Sequence, residues 1–265
     1  MNKIMHTSVS QSFSQAAKGY DNEAFLQRKV ADRLLQKLEG LNFSPTKILD
    51  AGCGTGYCTN KLASQFQNAE ILGVDIALGM VEEAKRKFRN NNINFQCADI
   101  NEMPFESDSF DLVFSSLAVQ WIKDPEQAFS EINRIMKPGG VLLFSSMGKD
   151  TLIELKESWK KVDQAVHVNN FFEINQVACQ VSQSRFSDVA VDKDKIIMKY
   201  EKMTDIMKNL KAIGAGNLNE DRNKGLQGKS KFIRLMNEYD RYRDKDGTLP
   251  ATYDVIYCQA KKIIV

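Results

Sequence analysis

Residues 47–56 read KILDAGCGTG, and they are followed at 57–66 by YCTNKLASQF. Three apolar positions leading into three glycines spaced as GxGxG describe a short buried strand that ends in a tight loop, and the next segment has the spacing of a helix. This β-loop-α unit is then repeated downstream. Strand AEILGVD (69–75), helix LGMVEEAKRKFR (78–89), strand INFQCAD (93–99), strand FDLVFSS (110–116), helix DPEQAFSEINRIM (124–136), turn KPGG (137–140) and strand VLLFSS (141–146) follow in order. Strands alternating with helices predict an α/β fold with a mostly parallel sheet covered on both faces.

Outward from this core the pattern loosens. Residues 23–39, EAFLQRKVADRLLQKLE, place Phe25, Leu26, Val30, Leu34, Leu35 and Leu38 on one helical face. Residues 151–185 are mainly helical in pattern. FSDVAVDKDKIIMKY (186–200) reads as two short strands or one bent strand, residues 202–245 return to helix around the glycine-rich, basic stretch GAGNLNEDRNKGLQGKSK, and ATYDVIYCQAKK (251–262) reads as a last strand. The expected organisation is a single domain over 1–265, with an N-terminal helical lid at 1–44, a cofactor-binding core at 45–150, and an acceptor-binding cap with the final strands at 151–265.

Composition narrows the chemistry. Thirty-six basic and 34 acidic side chains leave a formal charge of +2, too small for the general basic field of a nucleic-acid binder. No apolar run approaches the roughly 18 to 20 residues that span a bilayer, so no membrane partner is expected and the cytoplasm is the expected compartment. The cysteines Cys53, Cys58, Cys97, Cys179 and Cys258 are scattered and odd in number, and the histidines are only His6 and His167. Neither a disulfide framework, a metal centre nor a Ser-His-Asp triad is expected from that material. The chemistry is expected to come from an organic cofactor.

The loop DAGCGTG points to its kind. In open α/β sheets ligands bind beyond the carboxyl ends of the strands. Here Asp50, Gly52, Gly54 and Gly56 stand at that end of the first strand, and GxGxG after an acid differs from the GxGxxG that holds a pyrophosphate. An acid repels pyrophosphate and suits a sulfonium ligand that carries an ammonium group. Asp75, ending the second strand, is placed to accept two ribose hydroxyls, and Asp99, ending the third, to accept an adenine amino group, with Ile76, Met80 and Ile100 as apolar faces for the ring.

These motifs, DAGCGTG, GVDIALGM, ADINEMPF and KPGGVLLFSS, resemble the class I methyltransferases that use S-adenosylmethionine (SAM). The resemblance implies a seven-stranded Rossmann-like sheet with an antiparallel last strand. Its cofactor-side residues would be Asp50, Gly52, Gly54, Gly56, Asp75, Ile76, Met80, Asp99, Ile100 and Ser115. A narrower resemblance runs nearly end to end, through FSQAAKGYDNEAFLQRKVADRL (13–34), SSLAVQWIKDPEQAFSEINRIMKPGG (115–140), GKDTLIELKESWKKVD (148–163), HVNNFF (167–172), GLQGKSKF (225–232) and LPATYDVIY (249–257). These look like BioC, the malonyl-acyl-carrier-protein O-methyltransferases that start the pimelate part of biotin synthesis. The match departs at Asp150, where that family usually has Gly.

The resemblance implies methyl transfer from SAM to the free carboxylate of a malonyl thioester, on carrier protein or coenzyme A. Such a carboxylate, with a pKa of about 3.5, is ionised at neutral pH and needs no strong base. Tyr20 is expected near the transferring methyl, and Gln27 or Arg28 could reach the cofactor's carboxylate. Gln120, Trp121, Phe171 and Phe172 are expected around the acceptor, with His167 in a structural role. Arg222, Lys224, Lys229 and Lys231 are expected to dock the acidic carrier protein. Two other readings stay open: a methyltransferase for another small acceptor, such as an aconitate-type carboxylate or a quinone precursor, and a SAM-binding protein assembly factor.

Overall fold

The computed structural model describes residues 2–41, 43–89, 93–122, 124–216 and 228–264, with side chains from residue 8 onward. Seven strands form one sheet: β1 (Lys47–Ala51), β2 (Glu70–Asp75), β3 (Ile93–Cys97), β4 (Phe110–Ser116), β5 (Met136–Met147), β6 (Phe186–Tyr200) and β7 (Leu249–Lys262). Their order across the sheet is β3-β2-β1-β4-β5-β7-β6. The pairs from β3 to β5 are parallel, and β7 runs antiparallel to both of its neighbours. The mostly parallel sheet is the one that the alternation of strands and helices predicts, and the antiparallel last strand is the one that the family resemblance implies.

Alternation along the central strands divides the core in two. Ile48, Leu112, Phe114, Val141, Leu143, Val255 and Tyr257 face one cluster, while Leu49, Val113, Leu142, Phe144, Ile256 and Cys258 face the other. The first face is covered by α2 (Phe25–Glu39), α3 (Tyr57–Gln65), α6 (Ile153–Lys160), α8 (Met203–Ala212) and α9 (Lys229–Asp240). The second is covered by α5 (Pro125–Ile135) and α7 (Ile174–Gln183). Helix α4 (Leu78–Lys87) packs Val81 and Ala84 on Phe95 of β3. The start of α5 is set locally: Asp124 accepts the backbone N–H of Gln127 at 3.0 Å, and Pro125 occupies the first turn, where no N–H is needed.

Two sequence expectations resolve here. The segment 186–200 is one strand with a register shift between Ser187 and Ala190, the bent alternative. The KPGG segment is not a separate turn but lies within β5, where Gly139 has φ 75° and the pairing with β4 slips between Phe110 and Leu112. A glycine in the left-handed region lets the chain bulge without leaving the sheet.

N-terminal helix α1 (Asn2–Glu23) lies over the carboxyl ends of the strands. Ser10 Oγ donates to the carbonyl of Ile76 at 3.0 Å, Gly79 N–H donates to Ser14 Oγ at 3.2 Å, and Ser12 Oγ donates to the carbonyl of Gly214 at 2.9 Å. A Cβ on Gly79 would stand 2.6 Å from the Ser14 carbonyl oxygen, so α1 and α4 approach as closely as backbone allows. At the other end of the cap, Thr151 Oγ1 donates to the carbonyl of Asp254 at 3.0 Å and Thr252 N–H donates to Glu154 at 3.1 Å, which seats the start of α6 on β7. Those contacts fall to Thr151 and Glu154, not to Asp150.

Phe144 is fully buried in β5 and packs against Phe129 at 5.3 Å between ring centroids. Phe144→Ala is expected to cost about 3–5 kcal/mol of stability in urea denaturation; a loss below about 1 kcal/mol would contradict this packing.

Candidate active site

Strand order reverses between β1 and β4, which open a crevice at their carboxyl ends. The glycine loop lies on one side of it. Gly52 and Cys53 donate their N–H groups to the Val74 carbonyl at 2.8 and 2.9 Å, and Gly54 N–H donates to Asp75 Oδ2 at 2.9 Å. Gly52 has φ 80°, and a Cβ there would come within 2.2 Å of the Ala118 Cβ, so only glycine lets the two loops meet. Gly54 lines the cavity with φ 54°, and a Cβ there would meet no atom within 4 Å.

The first cavity is lined by Val9, Phe13, Tyr20, Gly52, Gly54, Asp75, Ile76, Met80, Asp99, Ile100, Asn101, Ser116, Leu117, Ala118, Trp121 and Ile122. It gathers most of the residues expected on the cofactor side. Asp75 is oriented by N–H groups of Gly54 and Ala77, the latter to Oδ1 at 2.8 Å, and each oxygen keeps lone-pair capacity for a ligand hydroxyl. Burial pushes its carboxyl up, against the pull of those two bonds.

Three expected residues lie elsewhere. Asp50 is buried behind the loop, where its Oδ2 accepts from Thr59 Oγ1 at 2.6 Å and where burial pushes its carboxyl up to about 7. It does not line the cavity. Gly56 faces Phe88 and Phe95, 2.8 to 3.0 Å from where its Cβ would be, and so serves loop packing. Ser115 is wholly buried with an unpaired hydroxyl, and its neighbour Ser116 lines the cavity instead, because successive residues of β4 face opposite sides.

Asn101 is a residue that the sequence reading missed. Its backbone N–H and its Nδ2 both donate to Asp99 Oδ1, at 2.9 and 3.0 Å, which leaves its buried Oδ1 without a partner in the cavity wall. An unpaired buried acceptor suits a ligand amino group.

A side compartment opens between α2 and the glycine loop, lined by Tyr20, Asp21, Gln27, Arg28, Gly54, Thr55 and Ser116 among others. Asp21 ties the end of α1 to this loop: its Oδ1 accepts from Thr55 Oγ1 at 2.6 Å, its other oxygen pairs with Lys87, and its carbonyl accepts from Arg28 at 2.7 Å.

The second cavity, of about 340 Å³, lies under the cap. Its wall includes Leu26, Gln27, Gln120, Trp121, Met147, Leu152, Leu155, His167, Val168, Phe171, Leu210, Lys211 and Tyr253. Phe171 is there as expected. Phe172 is not: it pairs with Gly148 and packs on the opposite core cluster, since adjacent residues of an extended segment point apart. Phe13, Tyr20, Leu117 and Trp121 line both cavities, and Phe13 meets Trp121 edge-on at 5.4 Å. Tyr20 therefore stands at the junction. Its side chain is partly buried, and its hydroxyl is pushed far above the ordinary tyrosine range, first by burial and then by Asp75, so it stays protonated at neutral pH.

His167 lines the second cavity with its ring stacked 3.5 Å from that of Trp159 and Nε2 2.6 Å from Asp163 Oδ1. Lys231 donates to the other oxygen of Asp163 at 2.9 Å. Lys231 thus holds the cap together, while Lys229 is exposed at the start of α9. Arg222 and Lys224 lie outside the described residues. Among the described residues no group of three His, Cys, Asp or Glu could hold a metal ion, and no helix is long and apolar enough to cross a membrane.

Known proteins can be set beside this geometry. Residues 49–144 match the methyltransferase domain family. The chain is 39% identical to a malonyl-acyl-carrier-protein O-methyltransferase of Gallionella capsiferriformans, over 96% of this chain and 90% of that protein. It is 38% identical to one from a Methylovorus species, over 96% and 88%. It belongs to the malonyl-acyl-carrier-protein O-methyltransferase family. Among solved structures, the YcgJ protein of Bacillus subtilis shares the fold with a TM-score of 0.62 at 17% identity, over 87% of this chain and 97% of that one.

The residues of the first cavity fit SAM. Asp75 and the unpaired Asn101 oxygen offer acceptors for hydroxyl and amino groups, Ile76, Met80 and Ile100 offer apolar faces, and Arg28 lines the compartment beside the loop. Gly54→Val fills the open space that its Cβ would enter, and is expected to weaken SAM binding by at least roughly tenfold in calorimetry; unchanged affinity would exclude this cavity. Asp163 gives a pH prediction. Burial alone would raise its carboxyl, but hydrogen bonds from Lys231 and His167 outweigh it and hold it at about 2. A depressed carboxyl stabilises the fold above the unfolded pKa of about 4, and the gain fades as pH falls toward 2. Asp163→Asn is expected to cost about 1 kcal/mol at pH 7, after allowance for solvent screening, and almost nothing at pH 2; an equal loss at both would contradict the network.

Proposed function

We propose that the chain transfers the methyl group of SAM to the free carboxylate of malonyl-acyl-carrier protein, giving the methyl ester that primes pimeloyl synthesis for biotin. The observation that carries this reading is the junction of a cofactor-type cavity with an apolar acceptor cavity at Phe13, Tyr20, Leu117 and Trp121. Family membership supports the same acceptor: the relatives at 38 and 39% identity carry that activity in their names.

When bound, SAM supplies a methyl group on a positively charged sulfur. Asp75 and Asn101 hold its polar groups from one side, and Arg28 stands ready for its carboxylate from the other. The acceptor needs no base, because a carboxylate is already ionised at neutral pH. Tyr20, protonated and wedged between the cavities, donates a hydrogen bond that orients the acceptor oxygen toward the methyl, so that catalysis comes from alignment. Apolar walls contributed by Leu26, Leu117 and Trp121 exclude water and favour a step in which opposite charges disappear. The product ester no longer carries a charge that would cost several kcal/mol to bury in the apolar tunnels of fatty-acid elongation enzymes.

In this reading residues 1–44 form a lid, 45–150 hold the cofactor, and 151–265 shape the acceptor cavity. The carrier protein docks against the basic segment that carries Arg222, Lys224 and Lys229, with Lys231 reserved for Asp163. The double charge reversal Lys224→Glu with Lys229→Glu is expected to raise KM for malonyl-carrier protein and leave SAM affinity intact; unchanged kinetics would remove the docking site.

The reaction itself is tested with methyl-labelled SAM offered to malonyl-carrier protein, malonyl-coenzyme A and free malonate. Base-labile label is expected on the malonyl thioesters, and Tyr20→Phe is expected to lower kcat by roughly 10²-fold, in the range of a lost oriented donor. Label on none of the three would return the chain to an unknown acceptor.

A further inference from the structure

Gln120 sits in the short 3-10 turn Val119–Trp121 that follows β4, and its side chain lines the acceptor cavity. Its Nε2 donates to the Leu117 carbonyl at 2.6 Å. A carbonyl has no proton to give, so this bond decides which way the amide is turned: nitrogen to Leu117, oxygen away from it. That oxygen is buried and has no hydrogen-bond partner among the described residues. On α2, Gln27 Oε1 is also buried and unpaired, and it lines the same cavity.

Two unpaired acceptors in a mostly apolar wall, which also carries Lys211, are costly unless a ligand brings donors, because a buried group without a partner forfeits its hydration. A malonyl carboxylate cannot satisfy them, since both sides would be acceptors. A plain thioester cannot either. The group required carries an N–H or O–H donor, and secondary-amide N–H groups are what a pantetheine-type arm supplies beyond its thioester sulfur. Gln120 lines the acceptor cavity and not the cofactor one, whereas its neighbours Leu117 and Trp121 line both, so Gln120 stands on the side of the junction from which the arm would enter.

We propose that Gln120 Oε1 accepts a hydrogen bond from a secondary-amide N–H of the acceptor's thioester arm, and so selects amide-bearing thioesters over alkyl thioesters and free dicarboxylates. Gln27 offers a second acceptor to the same arm. The proposal rests on the reading that a malonyl thioester enters this cavity.

The test compares two small substrates with the wild-type enzyme: the malonyl thioester of N-acetylcysteamine, and its analogue in which a methylene replaces the amide N–H. A site built to bond a substrate N–H rejects the analogue that lacks it. The expected result is a kcat/KM about tenfold higher for the amide, and a preference that falls to near one in Gln120→Met, with SAM binding by calorimetry reporting that the variant is folded. Equal kcat/KM for the two thioesters with wild-type enzyme would overturn the proposal, and that comparison needs no variant. If only malonyl-carrier protein is turned over, Gln120→Met decides: about a tenfold higher KM supports the subsite, and an unchanged KM overturns it. Failure to methylate any malonyl thioester, carrier protein included, would overturn the functional reading and this inference with it.

Discussion

The active site depends on one close approach, that of the loop after β1 to the loop after β4. Gly52 comes so near Ala118 that any side chain at position 52 would collide with it, and the contact lies where the strand order reverses. Because the two loops touch there, Asp75 and Asn101 gather on one side, and Leu117, Gln120 and Trp121 lead away on the other. Helix α1 then closes the crevice from above, with Phe13 and Tyr20 over the point where the cavities join.

The division of labour follows from charge and burial. On the cofactor side the wall offers carboxylates and amide oxygens, suited to a ligand rich in N–H and O–H groups. At the junction it offers a phenol that burial keeps protonated. On the acceptor side it is mostly apolar, with unpaired amide oxygens on Gln27 and Gln120 and a cation, Lys211, in the same wall. In the proposed reaction the acceptor arrives already ionised, and what it asks of this wall is orientation.

The sheet was legible because periodicity reports local structure: strands of β-branched and apolar residues alternate with helices, and the glycine loop fixes the first turn. Asp75, Ile76 and Asp99 were legible because they follow strand ends, and Met80 because it opens the helix after β2. Legibility failed where side-chain direction decides. Ser115 and Ser116, or Phe171 and Phe172, are equivalent as text, and only the facing of the backbone tells which member of each pair meets the cavity. Asp50 failed differently, since the acid before a glycine loop reads as a ligand group although here it is sealed behind the loop on Thr59. Gln120 was legible as an acceptor-side residue and lines that cavity, but which of its amide atoms is left over, like the whole role of Asn101, depends on hydrogen bonds already used, Gln120 by Leu117 and Asn101 by Asp99, and no sequence pattern carries that information.

The most direct measurement is a crystal structure with the demethylated cofactor and a malonyl methyl ester thioester bound together. The cofactor sulfur and the ester oxygen are expected on opposite sides of the Tyr20–Leu117 junction, with the thioester arm running along Gln120 into the cavity under the cap. An ester bound anywhere else, with the sulfur turned away from Tyr20, would contradict the assignment of that junction as the place of methyl transfer.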